Sequence, residues 1–76
     1  MNAAQTLEAM YNSEINFRIG CYWDNGFDIS LGATDHNEPT WERFNTSRNF
    51  ETAVKMLAEA AIEQYPDSDF AKSRKT

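Results

Sequence analysis

His36 is the single histidine in the chain, and it stands between Asp35 and Glu38 in the polar stretch TDHNEP. A histidine flanked by carboxylates could touch a divalent metal. One short loop rarely fills a coordination shell, however, and no second ligand cluster occurs elsewhere in the sequence. This stretch therefore reads as a solvated loop. Cys21 is the one cysteine, so an internal disulfide is excluded. It alternates with apolar residues and has no basic neighbour on that face to activate it as a nucleophile, which makes it a small core residue. Glu59 and Glu63 stand one helical turn apart, but on the polar side of their helix, where acid–base division of labour is not set up. With one loop histidine a nucleophilic triad is not expected. No glycine-rich phosphate loop or dinucleotide fingerprint occurs. The residue set predicts no enzyme, no metal and no cofactor.

Charge is more informative. The chain carries a formal charge of −5 at pH 7. Residues 1–40 hold the six carboxylates Glu8, Glu14, Asp24, Asp28, Asp35 and Glu38 against Arg18 alone. Lys72, Arg74 and Lys75 crowd the last five residues. An acidic body argues against a direct grip on phosphate backbones, which needs clustered Lys and Arg. It permits docking on a basic surface.

These groups must be held by a small scaffold. Seventy-six residues make one domain, here read as residues 1–71 with a frayed basic tail at 72–76. No stretch is long and apolar enough to predict a membrane span, and the first residues do not read as a secretory leader. Ala3, Ala4, Leu7, Met10 and Tyr11 form one apolar stripe, which predicts a helix over 2–12. Residues 14–23 alternate strictly, with Ile15, Phe17, Ile19, Cys21 and Trp23 on one face, and 27–33 alternate again. Asn25-Gly26 between them signals a hairpin. A two-residue loop would put the two apolar sets on opposite faces. A three-residue loop, Asp24-Asn25-Gly26, pairs Trp23 with Phe27 and Cys21 with Ile29, and aligns them. It also requires Gly26 in the left-handed region.

Residues 40–45 read as a third strand, within which Trp41 and Phe44 have opposite parity. Phe50, Ala53, Val54, Leu57, Ala58, Ala61, Ile62 and Tyr65 predict a long helix, capped by Ser47 or Asn49 and stopped at Pro66. Asp67-Ser68 can start a last turn that returns Phe70 to the core. The expected fold is α+β, in the order αβββα: a three-stranded antiparallel meander with its helices packed on one face.

Parity places Glu14, Arg18, Tyr22, Asp24 and Asp28 on the outer sheet face, with Trp41 able to join them. An aromatic among acids and one arginine is a protein-contact composition. These six are the predicted partner-binding residues.

Two resemblances add to this reading. The αβββα order and the stretch AVKMLAEAA (53–61) are similar to the double-stranded-RNA-binding domain. That family grips phosphate with lysines at the start of its last helix, where this chain has SRNFET, so the topology is implied and the RNA binding is not. The stretches CYWDNGFDISLG and AIEQYPDSDFA look like small proteins encoded by phages and prophages. That resemblance implies an inhibitor of host defence of the anti-CRISPR type, in which acidity occupies a site meant for nucleic acid. The expected protein is thus a cytoplasmic, non-enzymatic binder of a basic, nucleic-acid-handling protein, without direct nucleic-acid or membrane contact. A self-associating domain, as a homodimer through a sheet edge, is the second expectation.

Overall fold

The computed structural model describes residues 2–33 and 40–74. Asp35, His36, Glu38 and Lys75 lie outside the described residues. The order is α1 (Ala3–Asn12), β1 (Phe17–Tyr22), β2 (Gly26–Ala33), β3 (Thr40–Ser47), α2 (Phe50–Gln64) and α3 (Asp69–Arg74). The strands form an antiparallel sheet in the order β1-β2-β3. The α+β meander predicted from the alternation is therefore present.

Each helix starts on a side chain that accepts from one of its free backbone donors. The Asn2 side chain accepts from the Gln5 N–H at 2.8 Å, and the Gln5 side chain accepts in return from the Asn2 N–H at 3.1 Å, a capping box. The Asn49 side chain accepts from the Thr52 N–H at 2.9 Å. The Ser68 hydroxyl accepts from the Ala71 N–H at 3.1 Å. α3 is a full short helix that continues to Arg74, whose guanidinium lies 4.8 Å from the Phe70 ring centre. α3 thus includes Lys72, Ser73 and Arg74, the first three residues of the basic tail.

One apolar cluster joins Met10 of α1, Ile29 and Leu31 of β2, Ala53, Leu57 and Ala61 of α2, and Phe70 of α3. Met10, Leu31 and Leu57 are fully buried. Phe17, Ile19 and Phe27 pack against it from the sheet. The Tyr65 hydroxyl donates to the Gly32 carbonyl and ties the end of α2 to β2.

The chain leaves α1 through a Schellman turn. The Glu14 N–H donates to the Tyr11 carbonyl and the Ile15 N–H to the Met10 carbonyl, both at 3.1 Å. Glu14 occupies the left-handed position, φ 61°. This turn shortens the expected strand, so β1 begins at Phe17. Ile15 is buried by contact with the helix end rather than as a strand residue.

The hairpin departs from its expected register. Cys21 pairs with Phe27, Ile19 with Ile29 and Phe17 with Leu31, two residues out of step with the Cys21–Ile29 alignment. An even displacement preserves parity, so the apolar residues still share a face. Gly26 has positive φ, 96°, as the hairpin requires. The loop is nonetheless Trp23-Asp24-Asn25, closed by the Asn25 N–H donating to the Tyr22 carbonyl at 2.9 Å. Gly26 pairs with Tyr22 and passes so close to β3 that a Cβ there would lie 2.6 Å from the Ser47 carbonyl oxygen. Trp23 consequently leaves the core and is 94% exposed. The Phe27–Phe50 edge-to-face pair, 5.2 Å between centroids, closes that end of the core instead. Cys21 is also exposed.

β3 contains a bulge. Leu31 pairs with Glu42 and Ile29 with Asn45, so Arg43 and Phe44 together oppose Ser30. Arg43 has φ 62°, and its guanidinium pairs with Glu63 of α2 at 3.2 Å. The bulge explains the parity clash between Trp41 and Phe44.

Candidate functional site

Alternation along paired strands sets the outer face. Arg18 pairs with Ser30, Gly20 with Asp28, and Gly32 with Trp41. Residues directly opposite one another in an antiparallel pair project to the same side. Four of the six predicted contact residues, Arg18, Tyr22, Asp28 and Trp41, are thereby brought to one face.

Arg18 reaches across β2 and stacks on Trp41, its guanidinium carbon 5.0 Å from the ring centre. Ser30 lies between their strands and is buried. Beside this pair sits Asp28, opposite Gly20. A Cβ on Gly20 would lie 2.3 Å from Asp28 Oδ1, so the carboxylate lies over the glycine and needs the missing side chain. Oδ1 is buried and has no hydrogen-bond partner among the described residues. Tyr22, the last residue of β1, is 57% exposed.

The other two residues are placed elsewhere. Glu14 is in the turn after α1 and not on the strand face, because the Schellman geometry ends the helix one turn before β1 begins. Asp24 is exposed at the middle of the hairpin turn. The turn also presents Trp23, which parity had assigned to the core. Alternation could not place this large aromatic in water at the loop tip, since it does not distinguish registers two residues apart. Phe44, 70% exposed, and Tyr11, 75% exposed, stand on β3 and α1.

No family model, curated protein or solved structure matches this chain. Among the described residues no group of three His, Cys, Asp or Glu side chains could hold a metal ion. No described helix is long and apolar enough to cross a membrane. Two clefts flank α2. One, about 470 Å³, lies between the starts of α1 and α2 and is lined by Asn2, Thr6, Asn49, Lys55 and Glu59 among others. The second, about 450 Å³, runs between α2 and β3 along the Arg43–Glu63 pair. Both are open surface grooves with mixed charge, and the helix starts beside the first are already capped by their own asparagines.

Proposed function

We propose that this chain is a non-enzymatic binding protein that docks on a basic protein surface through the β1–β2 hairpin. Trp23 and Tyr22 are the anchors, and Asp24 and Asp28 provide the charge. The observation that carries this reading is Trp23, 94% exposed in the turn beside Tyr22 and Asp24. A side chain of that size gains most by being covered, and Trp and Tyr dominate the energetics of contact surfaces. The surrounding acids favour a cationic partner and speed encounter with it.

The resemblance to phage-encoded inhibitors gives the partner a class. It is a cytoplasmic protein that handles nucleic acid, and the acidic hairpin occupies its basic groove. Direct contact with nucleic acid has no clustered cations to support it in the first 40 residues, where Arg18 is the only basic residue and is stacked on Trp41.

The test starts from the immobilised protein in nuclease-treated host lysate. The captured protein is identified by mass spectrometry, and its affinity is then compared for wild type, Trp23→Ala, Asp24→Lys with Asp28→Lys, and Lys72→Glu. Loss of a central aromatic anchor typically costs at least 2 kcal/mol, roughly thirtyfold in Kd. The hairpin variants should each weaken binding by at least about tenfold, more steeply at low salt for the charge reversal. Lys72→Glu should not weaken it. Normal binding by both hairpin variants, with circular dichroism unchanged, refutes the assignment.

A further inference from the structure

Among the described residues the sheet has two open edges, and they differ. β3 carries the Arg43–Phe44 bulge, a feature that twists an edge away from further pairing. β1 is regular from Phe17 to Tyr22, with no proline, lysine or bulge to guard it. Its backbone polarity follows from two hydrogen bonds. The Asn16 carbonyl accepts from the Gly32 N–H at 2.8 Å, and the Tyr22 carbonyl accepts from the Asn25 N–H at 2.9 Å. Even-numbered residues of β1 therefore address β2. By alternation, Phe17, Ile19 and Cys21 direct their N–H and C=O groups at the open edge.

We infer that β1 pairs antiparallel with β1 of a second copy of this chain, about a two-fold axis at Ile19, with Arg18 of each copy meeting Asp28 of the other.

Three observations select this occupant and this register. First, centring on Ile19 sets Ile19 against Ile19 and Phe17 against Cys21 of the other copy. All the outward-directed backbone groups then find partners, and Cys21, exposed in the single chain, is covered by an aromatic ring. Second, the same register sets Arg18 opposite Gly20 of the other copy. Gly20 is the residue over which the Asp28 carboxylate lies, and Asp28 Oδ1 is buried without a hydrogen-bond partner among the described residues. An arginine arriving there satisfies a buried carboxylate oxygen that the described residues leave open. Arg18 gives up its exposed stacking on Trp41 to do so, exchanging a cation–π contact for a charge-assisted hydrogen bond. Third, the neighbouring register, centred on Gly20, is disfavoured. It would bring the two Asp28 carboxylates together across the axis. The inference shares Asp28 with the hairpin reading but does not depend on it, since Trp23 and Asp24 lie beyond the paired segment and stay free at both ends of the six-stranded sheet.

Sedimentation equilibrium tests it on the full chain. Wild type at about 100 μM should show twice the 8.7 kDa monomer mass. Arg18→Glu alone and Asp28→Lys alone should each sediment as monomers, because each places like charges opposite one another twice. An equimolar mixture of the two variants should return to the dimer mass, since the acid introduced at 18 then meets the lysine introduced at 28 and Asp28 meets Arg18. Circular dichroism checks that each variant is folded. Where one is not, Ile19→Cys in a Cys21→Ser background decides. Hydrogen-bonded antiparallel partners stand about 5.5 Å apart, within disulfide range, so oxidation should give a covalent dimer. A monomeric wild type, a dimer indifferent to both single reversals, or a mixture that stays monomeric overturns the proposal, as does failure of the cysteine variant to cross-link.

Discussion

Glu14→Gly should stabilise this protein. Glu14 holds the left-handed position of the Schellman turn that ends α1, with φ 61°. An L-residue with a Cβ pays roughly 1–2 kcal/mol for that conformation. Glycine does not, but its unfolded chain is freer, which costs about 0.5–1 kcal/mol. The Glu14 side chain is exposed, so little packing is lost in the exchange. The difference spans about 0–1.5 kcal/mol, with its centre at ~0.75 kcal/mol. For a domain of this size the central value raises Tm by about 3–6 °C, given ~4–8 °C per kcal/mol. Urea unfolding followed by tryptophan fluorescence, with a matching thermal scan, measures it. The slope of the urea transition should stay constant, because the same surface is exposed on unfolding. Glu14→Ala is the control: it keeps the Cβ and should leave the midpoint nearly unchanged. If glycine and alanine both lower the midpoint, the Glu14 side chain makes a stabilising interaction in the folded state. If glycine alone lowers it, the chain does not leave α1 through a left-handed turn, and the account of why β1 starts at Phe17 falls.

Two other sites give effects of opposite sign. Gly26→Ala combines a strained φ of 96° with a Cβ 2.6 Å from the Ser47 carbonyl oxygen. It should destabilise by about 2–4 kcal/mol in urea unfolding, and a loss under 1 kcal/mol would mean that β3 does not press on the turn. Leu57 is fully buried at the centre of the apolar cluster. Leu57→Ala should cost about 2–5 kcal/mol, enough to populate the unfolded state at 37 °C in a chain of ordinary stability, and a midpoint shift under 1 kcal/mol would take Leu57 out of the core.

The helices were the most legible part of this fold, since their signals are local. The three- and four-residue spacing from Phe50 to Tyr65 marks the buried stripe of α2, and Asn49 is one of the two caps the sequence offers. Phe70 returns to the core after Pro66, as the Asp67-Ser68 pair suggests. The sheet was legible in parity and not in register. Alternation assigns faces correctly for Phe17, Ile19, Ile29 and Leu31, but it cannot tell two registers apart that differ by an even number of residues. That ambiguity misplaced Trp23 and Cys21, the two residues nearest the turn. The left-handed residues Glu14 and Arg43 carry no composition signal, because the usual marker of positive φ is glycine. The broken parity between Trp41 and Phe44 was the visible trace of the second. The outer sheet face was legible as a set of residues and illegible as geometry. That Arg18 stacks on Trp41, and that Asp28 lies over Gly20, follows only from the pairing of three strands.

The bulge at Arg43 and Phe44 has a consequence for how this protein can change length. Thr40–Glu42 and Asn45–Ser47 pair with β2 in two separate alignments. Each half of the strand is held by its own ladder, so the residues between them form a joint rather than a rigid link. Deleting one residue elsewhere in a paired strand turns every later side chain to the wrong side. Deleting one at this joint closes the ladder into a single continuous alignment and leaves both halves facing as they do now. Position 43 or 44 is thus where a one-residue deletion is tolerated within the sheet, at the expense of the Arg43–Glu63 tether if Arg43 is the residue removed. A scan of single-residue deletions across 40–47, read by soluble yield, would locate that joint as one permissive point flanked by intolerant ones.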